Sequence, residues 1–222
     1  MFGSRTVVHL LTLALRVQEE PTVKENIREV YEDLVSPSAT ASYYMKMALL
    51  CTGAAVMTAA AAHIRIPLSF TPVPVTMQTF MVLMAGLALG ASAGSTSQAL
   101  YIAIGALGLP VFAAGVGALA GPTGGYLVGF IIAAAVTGAI YSAHRTTIGA
   151  VAACVAGTAV IFTLGSLWLF VLTGGTLPEI LTAGVLPFLP GATMKIAAAV
   201  LLVRTPITRK AIESIIPDKP AE

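Results

Sequence analysis

The sequence predicts an all-α integral membrane protein: a six-transmembrane-helix bundle with structured outer loops and both termini cytoplasmic. Three observations carry this. Hydrophobic residues make up 57% of the 222-residue chain and charged ones 10%, with a mean hydropathy of +0.89, whereas about a quarter of the residues of a soluble domain are charged. Residues 47–203 carry only four charged side chains, Arg65, Arg145, Glu179 and Lys195. Basic residues gather at the joints of the apolar stretches, at Lys46, at Arg145 beside His144, and at Arg204, Arg209 and Lys210.

Residues 1–40 form a cytosolic N-terminal extension with six acidic and four basic side chains. Thr22 followed by Glu25 reads as a capping box, and Val23, Ile27, Val30, Tyr31 and Leu34 recur at helical spacing. Residues 22–35 therefore read as an amphipathic helix on the membrane or a partner, with an irregular extension as the alternative. The apolar run from Val7 to Val17 is short and broken by His9 and Arg16, and no small-residue cleavage pattern follows it, which argues against a signal peptide.

The membrane domain, 41–210, contains apolar stretches at 47–64, 75–109, 126–143, 148–172 and 180–203; a spanning helix needs about 20 such residues. Lys and Arg favour the cytoplasmic side. If all three basic clusters lie inside, an even number of spans separates each from the next, so 75–109 must turn back near Gly90–Ser97, giving six spans and leaving Arg65 outside. Residues 211–222 are then a cytosolic tail. Alternation of two is too weak for an outer-membrane barrel.

Two outer loops stand out. Residues 66–76 hold prolines at 67, 72 and 74, which fix their own backbone and push their predecessors to extended conformations. A stiff loop loses little entropy on closing over a ligand, and Phe70, Thr76 and Gln78 stand at or just past its end. The second, from Pro110 to Tyr126, holds Gly115, Gly117, Gly121, Gly124 and Gly125, whose backbone can approach a ligand or a helix closely. On the same side the last span begins, with Lys195 in a run, 191–203, that has no other charge. A charge at mid-bilayer costs roughly 2.5–3.5 kcal/mol, so such a lysine faces a cavity, partner or substrate; the alternative is an ammonium that snorkels to the headgroups. Gly86, Gly90 and Gly94 recur every fourth residue, as do Ala55 and Ala59, a spacing that lets helices pack closely.

Several chemistries are absent. There is no phosphate-binding Gly-x-x-x-x-Gly-Lys-Ser/Thr motif, no His, Cys and carboxylate cluster with metal spacing, and no basic stripe for nucleic acid. Cys51 and Cys154 lie in apolar spans as small hydrophobes. Ser92 with His144 does not make an intramembrane serine hydrolase of the rhomboid type, because Ala93 stands where that chemistry wants glycine. The chain is not read as an enzyme, and no cofactor is called for.

Four stretches together, Val73-Pro-Val-Thr-Met-Gln-Thr79, Leu107-Gly-Leu-Pro-Val-Phe112, Gly121-Pro-Thr-Gly-Gly-Tyr126 with Gly129 and Phe130, and Pro190-Gly191 with Lys195, resemble the BioY family, biotin-specific substrate-binding subunits of energy-coupling factor (ECF) transporters. The resemblance runs in order from about 45 to 205. It implies a bundle in a bacterial-type inner membrane that takes biotin from outside, with the first and third loops folding over it. It also implies assembly with a transmembrane coupling subunit and two ATPase subunits, onto which an alanine-rich first helix docks; Ala55 and Ala59 are the matching positions. The ligand-binding residues it points to are Thr76, Gln78, Phe112, Thr123, Gly124, Gly125, Tyr126, Thr193 and Lys195. Other small vitamins as ligand, or a scaffold without transport, are the competing readings.

One departure stands out. The family's motif continues Pro-Gly with an aspartate, two residues and then lysine, but here the position is Ala192. Positions 192 and 195 share a helix face. Biotin's ureido ring has two N–H donors and one carbonyl, and an unpaired buried polar group costs about 1–3 kcal/mol, or roughly 5- to 150-fold in affinity. Thr193 or Glu179 substitutes, or the ligand differs, or binding is weak. Lys195 donates to a ligand oxygen, and the sequence leaves open whether ureido or carboxylate.

Overall fold

In a computed structural model the described residues are 24, 25 and 39–215. Residues 24 and 25 are helical; the rest of the expected 22–35 helix, and most of the extension and the tail, lie outside the described residues. Contacts divide the chain into Met1–Met45 with Asp218–Glu222 and Lys46–Pro217; apart from the first residues of the opening helix, the features below belong to the second unit.

Helix α1, Ala39–His63, presents Cys51, Ala55, Thr58, Ala61 and Ala62 to the interior, one stripe at a spacing of three to four residues. It ends in a short antiparallel ladder: strand β1, Arg65–Ile66, pairs with β2, Val75–Thr76, with Arg65 opposite Thr76. The ladder closes the proline-bearing loop, which is non-helical as expected.

Helix α2, Gln78–Ala106, is interrupted at Gly90, with φ 80° and ψ −175°, a conformation essentially confined to glycine. The chain reverses there. The Gln78 side-chain amide lies 2.5 Å from the Tyr101 hydroxyl, although residues this far apart in a straight helix would be about 34 Å apart. A Cβ on Gly94 would sit 3.1 Å from the Gly86 Cα. The glycine triplet is thus the crease of a hairpin: Gly90 is the turn, and Gly86 and Gly94 let the two arms touch.

A loop with a 3-10 turn, Val116–Leu119, leads to α3, Gly124–Ala143. Gly124, Gly125 and Tyr126 therefore form the first turn of a helix and not the end of the loop. Helix α4, Thr147–Thr173, is capped by Thr146, whose side chain accepts from the Gly149 amide at 3.0 Å, and ends at left-handed Gly174. The last apolar stretch starts earlier than expected and is broken. Helix α5, Leu177–Gly184, a 3-10 turn at Leu186–Phe188, and α6, Leu189–Arg204, share it. Pro187 and Pro190, each in the opening turn of a new element, lack the N–H that would continue the preceding one. Helix α7, Pro206–Ile215, follows.

Five helical segments among the described residues are long and apolar enough to cross a membrane, Gln78–Ala106 counted once and Leu177–Arg204 as one. Large apolar side chains stand exposed along them, including Leu49 at 73%, Val171 at 71% and Leu201 at 70%. Such a girdle suits hydrocarbon, not water.

The two ends differ. At one, the Gly90 turn lies near Ser142 at the end of α3, and Arg204 Nη1 donates to the Arg145 carbonyl at 3.1 Å. A core of Phe80, Leu83, Leu87, Ala153, Cys154 and Val203 packs between α2, α4 and α6. At the other end the loops are tied together. Thr71 Oγ1 donates to the Ala183 carbonyl at 2.8 Å, Trp168 Nε1 to Gly121 at 2.9 Å, and the Arg65 guanidinium to Ala113. Ala55, 1% exposed, packs with Val82, Tyr101 and Phe130, and Ala59 is half buried against that cluster. In this structure the Ala55–Ala59 spacing serves packing within the bundle.

Candidate functional site

The loop-bearing end encloses a cavity of about 730 Å³ of space free of protein atoms, part of it open to solvent. Its roof is loop: Val73 and Pro74 from the first outer loop, and Phe112, Ala113 and Ala118 from the second. Its walls are helix: Leu83 of α2, Tyr126, Leu127 and Phe130 of α3, Ile161 and Phe162 of α4, and Phe188 before α6. Phe188 packs against Tyr126 and Phe162 with ring centroids 6.5 and 6.4 Å apart, making an aromatic wall. Apolar walls with a few placed polar groups are the usual form of a small-molecule site.

The polar groups collect where α2 begins. Lys195, half buried, extends from α6 so that Nζ donates to the Thr76 carbonyl at 2.5 Å and to Thr79 Oγ1 at 3.1 Å. That is the cavity reading of this lysine; an ammonium bound to two interior oxygens does not snorkel. Ala192 lines the cavity on the same helix, so the departure from the family motif falls inside the site. Gln78 is 3% exposed and also lines the cavity. Its Nε2 meets Tyr101 Oη, which donates to the Val111 carbonyl at 3.1 Å.

Of the residues named from sequence, Thr76, Gln78, Phe112, Thr123, Tyr126 and Lys195 line the cavity. Gly124, Gly125 and Thr193 do not. A Cβ on Gly124 would meet the Leu119 carbonyl, and one on Gly125 would meet Trp168 and Leu164, so both glycines serve close packing of α3. Thr193 is exposed and spends its hydroxyl on the Pro190 carbonyl at 2.8 Å. Glu179 accepts from the Thr176 amide at 2.8 Å as half of the capping box of α5. Neither offered substitute for the missing acid reaches the cavity. Sequence reasoning missed Thr158, Ile161, Phe162 and Phe188: the three apolar ones read the same whether they face lipid or ligand, and a lone threonine in an apolar span marks no face. Among the described residues no cluster could hold a metal ion.

Fold and cavity together define a multi-pass membrane protein with a largely apolar, small-molecule-sized cavity at one end of its bundle. The chain belongs to the BioY family, whose model matches residues 33–212. It is 39% identical over 141 residues to the probable biotin transporter BioY of Pyrococcus horikoshii, covering 62% of this chain and 83% of that one. To the biotin transporter BioY of Thermotoga maritima it is 38% identical over 146 residues, 64% of this chain and 83% of the relative. Its fold matches the crystal structure of the S-component for biotin from an ECF-type ABC transporter with a TM-score of 0.68 at 24% identity, covering 77% of this chain and 94% of that one.

Proposed function

We propose that this protein is the biotin-binding, substrate-specific subunit of an ECF-type importer, capturing biotin from outside and delivering it inward with ATP-driven partners. The observation that carries the reading is the cavity: an aromatic, apolar chamber with Lys195 and Gln78 at one polar corner and two tethered loops as its roof. Biotin has the matching shape, a thioether ring and aliphatic tail for the walls and a urea for the corner. Its relatives from Pyrococcus horikoshii and Thermotoga maritima are named as biotin transporters.

In this proposal the chain crosses the cell membrane six times, the reversal at Gly90 making two crossings of Gln78–Ala106. Lys46, Arg145 and Arg204 then lie inside with both termini, and the cavity opens outward. The two arms of the hairpin are short, about 18 and 24 Å at 1.5 Å per residue, so the bundle spans a locally thin bilayer or tilts little. The partners are a transmembrane coupling subunit and two ATPases, since the chain has no nucleotide-binding motif of its own. Ala55 is buried, so docking of α1 would use its other face, where Gly53, Val56 and Met57 are exposed.

Ala192 favours a second reading within the class, another small vitamin. Growth of a bacterial biotin auxotroph that lacks its own importer, given this chain with a coupling module, separates the two. Rescue at low biotin supports the biotin reading. No rescue, with the assembled complex present in the membrane, sinks it.

A further inference from the structure

The hydrogen-bond chain behind the cavity sets which end of the Gln78 amide a ligand meets. The Tyr101 hydroxyl donates its single proton to Val111 O, 3.1 Å away. Toward Gln78 that hydroxyl can then only accept, and it must face the amide nitrogen, 2.5 Å away. In this arrangement the Val111 carbonyl takes the hydroxyl proton and the amide nitrogen of Gln78 faces Tyr101. Gln78 Oε1 is left without a protein donor among the described residues. Tyr101 itself is 1% exposed and does not line the cavity. Its ring also packs edge-to-face on Phe112, centroids 5.4 Å apart at 89°, so one residue braces a wall and a roof position.

We propose that Tyr101 is a positioning residue that locks Gln78 with Oε1 as the acceptor for a ligand N–H, the role left vacant by Ala192. This rests on the biotin reading and adds to it. Lys195 Nζ, bonded to Thr76 and Thr79 on either side of Gln78 in sequence, supplies the complementary donor. Donor and acceptor at one corner fit a urea or lactam, which carries C=O and N–H side by side, better than a molecule with acceptors alone.

A double-mutant cycle on biotin affinity tests this, using Tyr101→Phe, which keeps the ring and removes the hydroxyl, and Gln78→Leu, which removes the amide. Tyr101→Phe should weaken biotin about 5- to 30-fold in the wild-type background and less than about twofold in Gln78→Leu. Equal losses in both backgrounds, or no loss in the first, overturn the proposal, since a residue that only braces the fold acts whether or not Gln78 is present. If Gln78→Leu does not fold, biotin singly methylated at either ureido nitrogen replaces it. Wild type should then disfavour one methylated isomer relative to the other, and Tyr101→Phe should shrink that preference; an unchanged preference overturns the proposal. Wild-type protein that fails to bind biotin defeats the functional reading itself, a result distinct from binding that is blind to Tyr101.

Discussion

Lys195→Met separates a ligand-binding lysine from a structural one. Methionine keeps a flexible chain of similar length but removes the ammonium that donates to Thr76 O and Thr79 Oγ1. For the apo protein two opposing effects follow. Two hydrogen bonds with a charged donor are lost, roughly 1.5–3 kcal/mol each at most, while the desolvation of a half-buried ammonium, also several kcal/mol, is relieved. The apo stability should therefore change little. The ligand complex has no such compensation, because loss of a charged hydrogen bond to a biotin oxygen weakens binding roughly 10- to 150-fold. Thermal unfolding in detergent, with and without biotin, reads both. At biotin 100 times the wild-type Kd, ligand stabilisation is about 2.7 kcal/mol, and a tenfold weaker variant retains about 1.4 kcal/mol. The expected result is an unchanged apo midpoint with a ligand-induced shift cut to half or less. A lowered apo midpoint with a full ligand shift would refute the reasoning and make Lys195 a strap between α6 and α2.

Two further outcomes follow from the same geometry. Ala192→Asp places a carboxylate on the cavity wall on the face that carries Lys195, and should tighten biotin roughly 5- to 150-fold by adding an acceptor; isothermal titration reads this, and unchanged or weaker binding would mean the pocket is built around alanine. Gly90→Ala forces a side chain into φ 80°, ψ −175°, costing about 1–3 kcal/mol, although no steric clash adds to it because the nearest atom to a Cβ is Ser142 Oγ at 3.8 Å. A lowered unfolding midpoint with biotin affinity within about twofold is expected, and an unchanged midpoint would contradict the strained turn.

How much was legible in the sequence depended on contrast. Lys195 was legible because a charge in an apolar run has few explanations, and the proline loop because proline constrains backbone without help from tertiary contacts. Charge parity called for the reversal and the small-residue stretch Gly90–Ser97 gave its place, whereas the i+4 spacing of Gly86, Gly90 and Gly94 suits a straight helix and a creased one equally. Gly124 and Gly125, which the family resemblance puts among the ligand contacts, pack instead against Leu119 and Trp168, since glycine marks close approach without saying to what. The aromatic wall of Phe162 and Phe188 and the role of Tyr101 depend on which side of a helix faces inward. In a membrane protein both faces are apolar, so hydrophobic periodicity, which finds the buried face of a soluble helix, carries almost no information.

The central claim is that the cavity binds biotin, and equilibrium binding of biotin to the purified, detergent-solubilised protein, with riboflavin as control, tests it most directly. Saturable, one-to-one binding that riboflavin does not displace is the expected result. Folded protein that shows no binding at micromolar biotin would contradict it, and would mean that the exchange of an acid for Ala192 has changed the ligand or closed the site to it.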